Sequence, residues 1–151
     1  MLQKNTKIMA LDVGTARTGV AVTDALLMTA QPRTTIEHKT LKELFAGIKS
    51  LIVDNNIGRI IVGFPKELDG SVGEKAKQVE KLSRKLQAFL KNELPNGSNI
   101  EVILWDERLT TVQAEQIVIG TKLKNKAKSA ALDRVSAAII LESYLMSIEG
   151  T

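Results

Sequence analysis

The chain has no cysteine and a single histidine, His38, among its 151 residues. The first absence removes thiol nucleophiles, disulfides and thiolate zinc sites, and leaves the redox compartment open. The second removes two-histidine metal centres and conventional zinc proteases, and a Ser-His-Asp triad could use only His38. That residue stands in the polar stretch Glu37-His38-Lys39-Thr40, which reads as a loop carrying a solvated imidazole. Aromatic residues make up 3% of the chain, too few for a platform that stacks single-stranded bases. No apolar run approaches the roughly 18–20 residues that cross a bilayer, so no membrane partner is expected. Residues 1–7 are polar and lack the apolar core of an export signal, and the cytoplasm is the expected compartment.

What remains in quantity is carboxylate, lysine and arginine. Hydrophobic residues are 44% and charged residues 25%, the balance of a globular protein. The length fits one domain spanning residues 1–151. A net charge of +4 and a pI of about 9.4 favour an anionic partner. Carboxylates without histidine or cysteine suit hard divalent cations acting on phosphate esters.

Periodicity orders the chain. Residues 7–12 read as a short buried strand, 14–17 as a turn and 18–23 as its hairpin partner. Residues 29–37 read as a third strand, weakened by Pro32. Leu41, Leu44, Phe45, Ile48, Leu51 and Ile52 recur at helical spacing behind a Thr40–Glu43 capping box, and Gly58 ends that helix. Residues 59–64, RIIVGF, form a continuous apolar run suited to a central parallel strand. A Ser71–Glu74 capping box opens a long amphipathic helix through Ala76, Val79, Leu82, Leu86 and Phe89. Residues 101–105, EVILW, are another buried strand. Thr110 and Gln113 suit a third capping box, 120–128 is a lysine-rich connection, and 130–148 a final helix. The order predicts an α/β fold: three antiparallel meander strands plus two parallel ones, in a mixed five-stranded sheet with helices on both faces.

Three segments can carry chemistry. In Leu11-Asp12-Val13-Gly14-Thr15-Ala16-Arg17-Thr18-Gly19, an aspartate ends an interior strand, where an unpaired charge is costly. Gly14 and Gly19 let backbone approach a ligand, and Thr15 and Arg17 can donate to phosphate oxygens. In Trp105-Asp106-Glu107-Arg108, two adjacent carboxylates point to opposite faces of a strand, so only one can join Asp12. Asp133 sits among Ser129, Ala130, Ser136 and Ala137 at helical neighbour positions, small residues that let a helix lie close to the sheet. Three such carboxylates fit a pair of Mg²⁺ or Mn²⁺ ions. Lys122, Lys124, Lys126 and Lys128 form a basic run that can neutralise a nucleic-acid backbone. Thr15, Arg17, Arg108, Lys126 and Lys128 are thus the nucleic-acid-binding candidates. The basic residues of the second helix, Lys75, Lys77, Lys81, Arg84 and Lys85, alternate with Glu74 and Glu80 and read as an ordinary solvated face.

The segments LDVGTARTGVAVTD, GFPKELDGSVGEKAKQV, WDERLTTVQAE and KSAALDRVSAAIILE, in this order, resemble the YqgF (RuvX) family. Its members are known as Holliday junction resolvases and as pre-16S ribosomal RNA nucleases. The resemblance covers almost the whole chain. It implies a ribonuclease H-like fold similar to that of RuvC resolvases, and an endonuclease acting on structured RNA or branched DNA. Ribosomal RNA 5′-end maturation, on a pre-ribosomal particle, is the first implied role and junction resolution the alternative. The family's acidic set maps onto Asp12, Glu107 and Asp133, with Asp106 as the alternative to Glu107. Gly14 and the loop GFPKELDGS, with Gly63, Pro65 and Gly70, would border the site. Better-known ribonuclease H-like enzymes often end the fourth strand in a carboxylate; here that strand ends in Gly63-Phe64-Pro65, and the acid must come one strand later.

Two other readings remain open. An Asp-x-Gly-Thr hairpin also binds phosphate in actin- and sugar-kinase-like ATPases, but those need two related domains around ATP, and this chain has one such hairpin. A non-catalytic RNA- or ribosome-binding module would keep the same fold. A monomer or a weak homodimer is expected.

Overall fold

A computed structural model describes residues 6–66, 69–107 and 125–149. The apolar run Ile8-Met9-Ala10-Leu11 is wholly buried and forms β1 (Lys7–Val13) in the middle of a five-stranded sheet. β2 (Arg17–Thr23) returns antiparallel to it, with Asp12 opposite Gly19, and β3 (Ala30–Glu37) continues the meander at the sheet edge. Pro32 is tolerated there because an edge strand has one unpaired side. The ladder skips Arg33, a bulge next to that proline. α1 (Leu41–Asn55) leads to β4 (Ile57–Pro65), parallel to β1, and α2 (Glu74–Glu93) leads through a short 3₁₀ turn (Gly97–Asn99) to β5 (Glu101–Glu107), parallel to β4. α3 (Asn125–Glu149) closes the described chain. The strand order is β3-β2-β1-β4-β5, the mixed sheet expected of a ribonuclease H-like fold.

The period of two along each strand divides the core into two layers. Met9, Leu11, Val20, Val22, Ile60 and Val62 pack with the apolar stripes of α1 and α2. Ile8, Ala10, Ala21 and Ile61 pack with Ala137, Ile140, Leu141, Tyr144 and Leu145 of α3. Helices therefore cover both faces. Among the described residues no helix is long and apolar enough to cross a membrane.

Helix ends differ from expectation in places. Thr40 caps α1 as its sequence predicts, its hydroxyl accepting from Glu43 N at 3.2 Å while Glu43 accepts from Lys39 N at 3.0 Å. The far end of α1 is capped by Asn56 in the left-handed region (φ 53°, ψ 58°), not by Gly58, which already belongs to β4. α2 begins at Gly73 without a side-chain cap. Ser71 lies too early to cap it: its N–H donates instead to Asp69 Oδ1 at 2.9 Å, an Asx turn. α3 starts at Asn125, before the expected 130, and takes in Lys126 and Lys128. The expected capping box and helix after Thr110 lie outside the described residues.

Candidate active site

Parallel strands deliver their C-terminal ends to one edge of the sheet, the usual place for a site in this class of fold. β1, β4 and β5 do so here, ending at Val13, Pro65 and Glu107. Asp12 shares the strand parity of Ile8 and Ala10, so it faces the α3 layer. Its cross-strand partner Gly19 is buried, and a side chain there would overlap the main-chain carbonyl of Asp133. Gly19 thus lets the α3 backbone cross directly over the hairpin beside Asp12. That close approach brings Asp133 from the last third of the chain to the first strand.

The Asp12 carboxyl senses the Asp133 charge. Burial pushes the Asp12 carboxyl up to about 6 from the usual 3.8. Lys75 pulls it back down, the Asp133 charge raises it, and the Ser136 hydroxyl lowers it by donating a hydrogen bond. Asp133 has its own cation, since Arg17 Nε donates to Asp133 Oδ2 at 2.8 Å. The site is thus a desolvated Asp12 beside Asp133, with one guanidinium on the latter. Among the described residues no three acidic or histidine side chains converge.

The structure brings Asp12, Asp133 and Arg17 together and distributes the other candidates. Thr15 is exposed on the hairpin turn. Gly14 closes that turn, its N–H donating to Arg17 O at 2.9 Å, and a side chain on it would press on the same carbonyl. The space beside both Gly14 and Gly19 is therefore filled by the protein's own main chain, not kept for a ligand as their sequence suggests. Gly63 is not in a loop: it is buried within β4 opposite Trp105, and Pro65 ends that strand opposite Glu107. Gly70 has a φ of 89°, which a side chain disfavours. Asp106 is exposed, shares the parity of Val102 and Leu104 on the α1/α2 side, and is not among the charges that act on Asp12. Lys128 is half-buried near the start of α3. The side chains of Glu107 and Lys126, and the whole of Arg108, Lys122 and Lys124, lie outside the described residues.

His38 corrects its sequence reading. It follows β3 but is buried, its Nε2 2.9 Å from the buried Thr18 Oγ1. Burial holds the imidazole below its usual 6.5, with Glu43 pulling the other way. Two neighbours of Asp12 escaped the sequence as site residues. Ser136 stands three residues after Asp133, on the same helix face. Lys75 is in the first turn of α2, within the motif that begins at Gly63.

A family profile described as RuvX, Holliday junction resolvase, matches residues 6–147. A protein of Halothermothrix orenii named "Putative pre-16S rRNA nuclease" is 42% identical over 139 residues, covering 92% of this chain and 94% of the relative. A Lachnospira eligens protein of the same name is 35% identical over 144 residues, covering 93% and 97%. Among solved structures, T. thermophilus RuvC in complex with a Holliday junction substrate aligns with a TM-score of 0.57 at 14% identity, over 97% of each chain. The fowlpox virus resolvase with Holliday junction DNA aligns with a TM-score of 0.56 at 16% identity, over 95% of this chain and 99% of that one. At such identities the likeness is one of fold, and the fold is the ribonuclease H-like one.

Proposed function

Because the chain belongs to the RuvX family, we propose that it is a divalent-metal-dependent endonuclease that hydrolyses phosphodiester bonds in structured nucleic acid, with pre-16S ribosomal RNA as its first substrate. The observation that carries this reading is the meeting of Asp133 with the desolvated Asp12 at the end of the central strand. Asp12 is an anion that its own protein under-compensates: burial dominates, and one lysine and one hydroxyl only partly offset it. An all-oxygen donor set of this kind fits a hard cation such as Mg²⁺ or Mn²⁺. Asp12 and Asp133 would hold it. Strand alternation puts Asp106 on the α1/α2 side, which supports Glu107 as the third ligand, with Asp106 as the alternative. When bound, a metal pair activates the attacking water and neutralises the leaving oxygen.

The chain's own groups do the rest. Ser136 orients the Asp12 carboxylate, Arg17 fixes Asp133, and Lys75 adds positive potential where a phosphate arrives. Thr15, Arg17, Arg108, Lys126 and Lys128 are assigned to contacts with the nucleic-acid backbone. Residues 1–151 act as one catalytic domain, working in the cytoplasm as a monomer or weak homodimer.

The names of the relatives favour RNA, on a pre-ribosomal particle. The family description favours a second reading, a four-way DNA junction. One assay separates them: cleavage of a 16S precursor and of a four-way junction in Mg²⁺ or Mn²⁺, by the protein and by Asp12→Asn. The precursor should be cut, and Asp12→Asn should cut nothing while remaining folded. Unchanged cleavage by that variant sinks the assignment of the site. Binding without cleavage would indicate a non-catalytic module, and ATP hydrolysis without cleavage an actin-like ATPase.

A further inference from the structure

α2 sorts its charges. Glu74 pairs with Lys77 and Glu80 with Arg84, while Glu93 at the far end reaches Lys49 of α1. Lys75, Lys81, Lys85 and Lys91 are in none of these pairs. The first three line a cavity of about 370 Å³ together with Lys39 and His38. Among the described residues no carboxylate and no aromatic ring of phenylalanine, tyrosine or tryptophan lines it. Lys81 and Lys85 are exposed and four residues apart, an arrangement that destabilises a helix unless an anion neutralises it. The cavity floor at one end is Val13-Gly14-Thr15, the turn that follows Asp12. Lys75 belongs to both places, since it lines the cavity and pulls the Asp12 carboxyl down.

We propose that this groove carries the sugar–phosphate backbone of the substrate strand away from the Asp12 site, with Lys39, Lys81 and Lys85 each neutralising phosphate. The proposal rests on the nuclease reading and adds a track to it. From Lys75 to Lys85 the helix rises about 15 Å. At about 3.4 Å per nucleotide that is roughly four nucleotides, a length suited to a strand and not to a single phosphate. A wall of lysine without aromatic rings reads charge, so this part of the contact is independent of base sequence.

The test uses the full chain in the Asp12→Asn background, which separates binding from cleavage. The probes are a labelled RNA stem-loop with a single-stranded tail and a labelled four-way DNA junction, each titrated over a range of KCl. Lys81→Gln with Lys85→Gln should weaken binding about tenfold at low salt and lower the slope of log K against log [KCl] by about 1.4–1.8. Lys81→Arg with Lys85→Arg should restore both. Lys77→Gln, on the same helix but paired with Glu74, is the control and should change neither. If the double Gln variant binds like the Lys77→Gln control, the groove is overturned while the nuclease reading stands. If the parent chain neither binds nor cleaves either probe, both fall together.

Discussion

Asp12 is held where its ionised form is least favoured. Its carboxyl is raised from 3.8 to about 6 chiefly by burial. At about 1.4 kcal/mol per pH unit, keeping it ionised in the folded protein costs roughly 3 kcal/mol above pH 6. Asp12→Asn should therefore abolish cleavage and raise the metal-free thermal midpoint at neutral pH. Mn²⁺ should raise the midpoint of the parent and not of the variant. A variant less stable than the parent without metal would contradict this account of the site. His38 gives a prediction of opposite sign. Its folded imidazole titrates below 6.5, so the unfolded chain takes the proton first as pH falls. Stability is full above about 6.5 and is lost below it, towards the folded value. His38→Gln should flatten that part of the profile, with the Asp12 contribution common to both proteins. Parallel Tm–pH curves would disprove the buried neutral imidazole. The sequence hid this residue because polar neighbours, Glu37, Lys39 and Thr40, surround it in the chain. Its partner is the buried Thr18 on the neighbouring strand, and no local pattern reports that. Asp12 was legible because a strand pattern ending in a charge is a local signal.

At the scale of elements, Gly19 decides whether the site exists. A methyl group there would meet the α3 main chain, which cannot move aside as a flexible side chain could. Gly19→Ala should cost about 1–3 kcal/mol, by analogy with overpacked cores, and should weaken cleavage by lifting Asp133 from Asp12. Denaturant unfolding and cleavage rates check both, and parental values for both would mean that α3 sits elsewhere. The sequence shows this glycine, but not what fills the space beside it, because the partner lies more than a hundred residues away. Caps show the same division. Thr40 and Ser71 carry the same three-residue signature, yet only Thr40 caps. Thr40→Ala should cost about 1 kcal/mol and Ser71→Ala much less, since Ser71 is drawn into a turn with Asp69. Strands and their order were readable from alternation and length. Helix boundaries were readable only where a cap signature was also used, as at Thr40, because tertiary contacts and loop turns set the others.

Across the whole molecule, the site joins chain ends that only the complete fold brings together. α3 covers Ile8, Ala10, Ala21 and Ile61, a layer that β1, β2 and β4 cannot bury by themselves. It is also tied by polar contacts along its length. Thr35 Oγ1 donates to Ala130 O at 2.8 Å near its start, and Arg59 Nη1 donates to Tyr144 Oη at 2.7 Å near its end. Helix and sheet should therefore unfold in one step, and the acidic pair should be lost with the fold as a whole. Trp105, the only tryptophan, reports on this docking. Its ring meets Tyr144 edge-on with centroids 5.2 Å apart, and its Nε1–H donates to Ser143 Oγ at 3.2 Å. Urea unfolding followed by Trp105 fluorescence and by far-ultraviolet circular dichroism should give coincident transitions. Leu141→Ala, which empties a fully buried place in the α3 layer, should cost about 2–5 kcal/mol of stability and lower both midpoints together. If fluorescence changes before circular dichroism, α3 undocks from a sheet that stays folded. The site would then open and close with α3 rather than with the fold.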